Sequence, residues 1–230
     1  MTYEIPSEVR VALFDIDGTL TTGGEVWGPL LKSPDVPSWR KGWLYVTAMP
    51  HYGLSKAGVG SQAGFRDRWV RLIAWLMTGW RYDRVQVLCS TIVRDHLIPA
   101  LRPDVVKILK QHSAAGHPVI LVSTMFREIV NDLAERVGAD AGLGSEVEIR
   151  DKVCTGRIAG QTCAGVRKLE VARHYLDQRF PAFSLDVCAA YADSASDIPF
   201  LSGMGYPVAV YPDAAMRAAA SERGWPIYEG

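Results

Sequence analysis

Along this chain, short unbroken apolar runs alternate with segments whose apolar positions recur every three or four residues. Val11, Ala12, Leu13 and Phe14 stand in a row and are stopped by Asp15 and, at the turn, Gly18. Such a run, bounded by turn residues, predicts a strand buried on both faces. HPVILVS at 117–123, SLDVCAAYAD at 184–193 and YPVAV at 206–210 read the same way. Between them the period changes. RPDVVKILKQHSAAG at 102–116 predicts a helix, with Pro103 at a first helical position and Gly116 as the stop. FREIVNDLAERVG (126–138) and VRKLEVARHYLDQRF (166–180) predict two more, ASDIPFLSGM (195–204) a short one and DAAMRAAASERG (213–224) the last. EVEIRDKVCTGRIAG (146–160) reads as a small hairpin turned at Thr155 and Gly156. Strands separated by helices of this length predict an α/β fold whose parallel sheet is covered on both faces.

Residues 21–99 break the alternation. They hold six of the seven tryptophans, and FRDRWVRLIAWLM (65–77) and RVQVLCSTIVRDHLIPAL (84–101) have helical spacing. The segment reads as a mostly helical insertion that leaves the sheet after its first strand and returns before Pro103. GLSKAGVGSQAG at 53–64 is glycine-rich but lacks the G-K-[ST] ending of a phosphate loop, so it reads as a mobile loop.

Composition narrows the partners. With 230 residues, 48% hydrophobic, 22% charged and a formal net charge of zero, the chain carries no global field to recruit nucleic acid or an anionic membrane. LIAWLMTGW at 72–80 is too short for a membrane span. The opening MTYEIPSEVR has no basic stretch followed by an apolar one, and a cytoplasmic location is expected. Cys89, Cys154, Cys163 and Cys188 show no C-x-x-C spacing and read as reduced thiols. The five histidines share no metal-ligand spacing.

In an open parallel sheet, ligands collect beyond the carboxyl ends of the strands. Three predicted strands end in polar residues there. The first runs into Asp15-Ile16-Asp17-Gly18-Thr19, the second into Ser123-Thr124, and the third into Asp193-Ser194, with Asp197 four residues on from Asp193. Lys168 stands at the start of the helix after GQTCAGVR. Carboxylates, a hydroxyl and an ammonium suit a hard divalent cation and a phosphoryl group. Mg²⁺ takes oxygen ligands, and its charge would let neighbouring carboxylates stay ionised.

D-I-D-G-T, V-S-T, G-V-R-K and Y-A-D-S-A-S-D, in this order, closely resemble the motifs of the haloacid dehalogenase superfamily, in its phosphoserine-phosphatase-like branch. The resemblance implies a three-layer Rossmann-like core formed by 1–20 plus 100–230, with a helical cap domain at 21–99. It implies a Mg²⁺-dependent phosphatase that hydrolyses a small-molecule phosphomonoester through an aspartyl-phosphate. Asp15 would be the nucleophile and Asp17 the general acid and then base. Mg²⁺ would be held by the Asp15 carboxylate, the Asp17 backbone carbonyl and Asp193, with Asp197 supporting the metal or Lys168. Gly18, Thr19, Ser123, Thr124 and Lys168 would surround the phosphate.

The chain also departs from that branch. Thr124 and Met125 stand where phosphoserine phosphatases usually carry glycines, and Ala192, Ser194 and Ser196 replace Gly, Gly and Asn. The carboxylates survive, so the departures bear on the leaving group, which a cap is expected to select. Glu25, Trp27, Trp43 and Arg66 are the specificity candidates. Trp39 and Tyr45 are further possible pocket residues, while Trp69, Trp75 and Trp80 are expected to fill the insertion's own core. The alternatives are a phosphotransferase with the same first half-reaction and a non-enzymatic phospho-aspartate signalling domain. The latter would have no use for so long an insertion.

Overall fold

In the computed structural model of the protein, residues 4–56 and 62–230 are described, without side chains for 49–62. The chain runs β1 (Val11–Phe14), α1 (Gly28–Lys32), α2 (Ser38–Lys56), α3 (Gln62–Leu76), α4 (Tyr82–Ile92) and a π-helical turn at Val93–Leu97. Then follow α5 (Pro103–Ala114), β2 (Val119–Phe126), α6 (Arg127–Val137), β3 (Ala141–Ser145), β4 (Val147–Arg150) and β5 (Val153–Ile158). The last part is α7 (Val166–Arg179), β6 (Cys188–Ala192), α8 (Ile198–Ser202), β7 (Tyr206–Val210), α9 (Ala214–Arg223) and β8 (Ile227–Tyr228).

Six strands form one parallel sheet in the order β3-β2-β1-β6-β7-β8. Successive residues of a strand face opposite sides, and the two buried clusters follow that rule. Ala12, Phe14, Val119, Leu121, Ala189 and Tyr191 face one cluster, where Val105 and Leu109 of α5 and Ile129 and Leu133 of α6 pack. Val11, Leu13, Ile120, Val122, Cys188 and Ala190 face the other, against Leu176 of α7, Phe200 of α8 and Met216 of α9. The sheet is therefore the middle of three layers. Burial on both faces explains why its strands read as unbroken apolar runs.

Register aligns the site. Phe14 pairs with Leu121 on one side and with Tyr191 on the other. One residue beyond Phe14 is Asp15, and two beyond its partners are Ser123 and Asp193. Three strands thus deliver polar side chains to one edge.

The helices between β1 and α5 share the first cluster through Leu30, Leu44, Val70, Ile73 and Val85. The antiparallel pair β4–β5 joins them, since Cys154 N donates to Trp80 O at 2.8 Å and Gly79 N to Cys154 O at 2.9 Å. Its turn is Asp151-Lys152, not Thr155-Gly156. Both turn residues have positive φ (50° and 63°), the left-handed pair that a two-residue hairpin turn requires. Thr155 instead donates to Glu148 Oε2 at 2.6 Å across the pair.

β3 gives no strand signal in sequence because it is AGLGS. A Cβ at Gly142 would meet the backbone of Val130 and Asn131, and one at Gly144 that of Met125 and Arg127. Close packing under α6 excludes the β-branched residues that mark a strand. Part of the expected loop at 53–64 is helical: residues 53–56 end α2 and 62–64 begin α3, while 57–61 lie outside the described residues. Among the described residues, no helix is long and apolar enough to cross a membrane.

Candidate active site

Asp15 leaves β1 fully buried, with its backbone N donating to Tyr191 O at 2.9 Å. Its Oδ1 accepts from Lys168 Nζ, and its Oδ2 lies 3.2 Å from Thr19 Oγ1. Thr19 Oγ1 is also 3.1 Å from Asp193 Oδ1, so one hydroxyl bridges the carboxylates of two neighbouring strands. The turn between Asp15 and Thr19 depends on Gly18. Its φ is +93°, and a Cβ there would overlap the Asp193 carboxylate. Only glycine meets both conditions.

Lys168 occupies the first turn of α7 and is fully buried between two acids, with Nζ 2.8 Å from Asp197 Oδ1. Burial opposes its charge, but Asp15 and Asp197 outweigh that and hold its pKa above the ordinary lysine value. Asp197 ends a 3-10 turn at Ala195–Asp197 and accepts from Ser194 Oγ at 3.0 Å. Arg66, from α3, brings Nη1 to 3.7 Å from Asp197 Oδ2. Ser123 is buried at the end of the apolar part of β2, where its Oγ accepts from Met125 N at 3.2 Å. Thr124 Oγ1 is buried with no hydrogen-bond partner.

Charge is unbalanced here. Among the described residues, Asp15, Asp17, Asp193 and Asp197 face two cations, Lys168 and Arg66. Burial raises the pKa of Asp15, with Lys168 opposing and Asp197 adding to the rise. Burial likewise raises Asp17, against the pull of Arg66 and Lys168. Asp193 is pushed up to about 8, first by burial and then by the charge of Asp15. Asp17 Oδ1 is buried without a hydrogen-bond partner among the described residues. Oxygens of Asp15, Asp193 and Asp197 lie within 4.8 Å of one another. A surplus of carboxylates around one point and an orphaned oxygen are what a hard divalent cation relieves, and the all-oxygen set fits Mg²⁺.

The structure brings together all the sequence-predicted residues of the core. It divides the candidates from the insertion. Glu25, Trp27 and Arg66 line the cleft beside Asp15 and Asp17, and so does Trp69, which also packs against the first buried cluster, as expected of a core-filling residue. Trp43 does not. It is 57% exposed and Trp39 is 65% exposed, with Tyr45 also exposed. α2 turns Leu44 and Ala48 inward, and positions one residue before these fall on the outer face of a helix with 3.6 residues per turn. Trp80 is buried as expected, and Trp75 packs against the same cluster.

One supporting residue escaped the sequence reading. Asp213 N-caps α9 by accepting from Met216 N at 2.7 Å, and its other oxygen accepts from Ala195 N at 3.0 Å. Its own N donates to Asp193 O at 2.8 Å. It therefore pins the loop that carries Asp193 and Asp197. An aspartate just before an alanine-rich helix is a legible cap signal, but its second contact depends on the fold.

Comparison with known proteins agrees with this geometry. The family profile described as haloacid dehalogenase-like hydrolase matches residues 12–202. The chain is 32% identical over 167 residues to the "Inhibition of morphological differentiation protein" of Streptomyces azureus, covering 71% of this chain and 59% of that one. It is 30% identical over 220 residues to phosphoserine phosphatase SerB1 of Mycobacterium tuberculosis (strain ATCC 25618 / H37Rv), covering 94% and 69%. The chain thus spans well under two thirds of the Streptomyces protein. A crystal structure of a Bordetella pertussis Tohama I protein of unknown function superposes with a TM-score of 0.78 at 23% identity, covering 96% of this chain and 98% of that one. That likeness establishes a shared fold.

Proposed function

Because the chain belongs to the haloacid dehalogenase-like hydrolase family, we propose that it is a Mg²⁺-dependent phosphatase acting on a small-molecule phosphomonoester through an aspartyl-phosphate on Asp15. The observation that carries this reading is the buried pair Asp15–Lys168, set two residues from Asp17, whose Oδ1 has no hydrogen-bond partner among the described residues.

The Asp15 carboxylate attacks phosphorus, and the bond to the leaving oxygen breaks as the acyl phosphate forms. Asp17 supplies the proton that the leaving oxygen takes up. Its raised pKa suits a carboxyl that must hold a proton and then give it away. Water then attacks the phosphoryl group, Asp17 recovers its proton from that water, and Asp15 leaves as carboxylate. Lys168 holds a positive charge against the phosphoryl oxygens, with Ser123, Thr124 and the Gly18–Thr19 turn completing the cradle. Asp15, the Asp17 carbonyl and Asp193 would hold Mg²⁺, which would supply charge neutralisation at the phosphoryl group. The Lys168 contact and the Ser194 bond of Asp197 favour Asp197 as the residue that orients the lysine. Residues 21–99 act as the cap, and 1–20 with 100–230 as the core.

The test is phosphate release from p-nitrophenyl phosphate with Mg²⁺, together with acid-quenched trapping of labelled protein. Wild type should carry a hydroxylamine-labile label, and Asp15→Asn should lose both label and turnover. An unchanged rate in Asp15→Asn would sink the reading. A phosphotransferase would instead release the leaving alcohol faster than phosphate when an acceptor alcohol is added.

A further inference from the structure

The cleft beside Asp15 and Asp17 has a volume of about 740 Å³. Ligand clefts of roughly 300 to 1,000 Å³ take drug-sized molecules, so a phosphorylated three-carbon amino acid would leave much of this one to water.

Its lining is split by chemistry. At the end nearest β1 and β2 stand Asp15, Asp17, Ser123 and Arg66. Arg66 is held at that end by its 3.7 Å ion pair with Asp197. Beyond these, Thr124 and Glu25, the described wall is mostly apolar: Trp27, Leu31, Phe65, Trp69, Val70 and Met125. Its rings pack on other rings, within the wall or in the core behind it. Phe65 stacks on Trp69 with centroids 6.1 Å apart, and Trp27 meets Phe126 edge-on at 4.9 Å. Apart from the phosphate-end groups, Glu25 is the one charged residue among the described lining residues, and it is exposed. A compact zwitterionic leaving group could pair its ammonium with Glu25. Its carboxylate would meet no cation other than Arg66 among the described lining residues, and most of the wall would offer it nothing polar, which is costly.

We infer that the cleft takes an extended apolar or aromatic leaving group, so that the substrate is the phosphate monoester of a bulky apolar alcohol. The inference rests on the phosphatase reading above and names its substrate class. The phosphoryl group sits at the carboxylates, and the alcohol's apolar body lies along Trp69, Phe65, Leu31 and Trp27. Discrimination comes from area removed from water, and it grows with chain length until the cleft is filled.

A series of primary n-alkyl phosphates (ethyl, butyl, hexyl, octyl) tests this, because their alkoxide leaving groups are alike in reactivity and differ only in apolar length. With Mg²⁺, kcat/KM should rise by about two- to fourfold per methylene, so that octyl phosphate exceeds ethyl phosphate by at least about 50-fold. Octyl phosphate should also exceed phosphoserine. Trp69→Ala and, as a second variant less exposed to folding defects, Leu31→Gln should each reduce octyl phosphate turnover at least tenfold more than ethyl phosphate turnover. Binding of the matching alkylphosphonates, read by tryptophan fluorescence, should tighten over the same series. A flat series in both readouts, or a preference for phosphoserine, overturns the inference. Chain-length-dependent phosphonate binding with no phosphate released from any ester would uphold the apolar cleft and overturn the phosphatase reading instead.

Discussion

Lys168 Nζ lies 2.8 Å from Asp197 Oδ1, and both side chains are withdrawn from solvent at the junction of α7 with the loop after β6. The lysine also contacts Asp15, so one cation links the residue after β1 to the loop after β6. Removing it would leave two buried carboxylates facing each other. Lys168→Met is therefore expected to cost about 3–5 kcal/mol, the usual penalty for orphaning a buried charge. Urea unfolding reads that cost. Asp197→Asn should be milder in stability, because Lys168 keeps Asp15, yet should slow turnover by misplacing the lysine.

Gly18→Ala should be far more damaging than Gly160→Ala. Both glycines have positive φ, but Gly160 has open space around it while the Cβ at Gly18 would enter the Asp193 carboxylate. Gly160→Ala is expected to cost about 1–2 kcal/mol, the left-handed backbone penalty alone. Gly18→Ala should add a displaced Asp193 and lose Mg²⁺-dependent turnover by at least about 100-fold, since a small misplacement of a catalytic group costs that much. Thermal melts and rate assays on the two variants separate the effects.

Added Mg²⁺ should raise the melting temperature of the wild-type protein, and a chelator should reverse the rise. A ligand bound only by the folded state stabilises by about 2.7 kcal/mol at a concentration 100 times its Kd. Asp193→Asn removes one of the three clustered carboxylates and should abolish the Mg²⁺-induced shift. A shift that survived in that variant would place the ion elsewhere.

His112 makes the protein acid-sensitive in a defined window. It is buried, with Nε2 2.7 Å from Tyr191 Oη and Nδ1 3.0 Å from His117 Nδ1. Burial, then His117, pushes its pKa down to about 4 from 6.5. Below 6.5 the unfolded chain binds a proton that the folded one refuses, so the contribution of His112 to stability is full above that pH and is lost as the pH drops towards 4. The loss amounts to about 3 kcal/mol. Asp193, whose carboxyl is raised to about 8, gains stability over the same fall in pH, so the readout is the difference between wild type and His112→Gln. From pH 7 to 4.5 the wild type should lose more, or gain less, stability than the variant.

Trp43→Ala should change neither stability by more than about 0.5 kcal/mol nor turnover, as for other surface positions. Arg66→Ala, by contrast, removes a cation shared among four carboxyls and should lower kcat. Equal effects of the two would contradict the placement of α2 and α3.

The chemistry was legible because each part of it is local. An apolar run followed by Asp15-Ile16-Asp17-Gly18-Thr19, another followed by Ser123, and a third followed by Asp193 are readable wherever a strand buried on both faces ends. β3 was not legible, because packing under α6 demands glycine at positions 142 and 144, and glycine hides a strand. The hairpin turn was misplaced because Thr155-Gly156 has turn composition, while the left-handed backbone at Asp151 and Lys152 leaves little mark on side-chain type.

By itself, then, the sequence determined the layered α/β core, the order of its strands and helices apart from β3 and β8, and the acids, hydroxyl and lysine that meet at the sheet's edge. Hydrophobic periodicity and turn chemistry act over a few residues and are written in the residues themselves. Only the tertiary structure decided which aromatics of the insertion face the cleft. Trp27 and Trp69 line it and Trp43 does not, because the rotation of each helix against the shared core is set by packing among elements far apart in the chain.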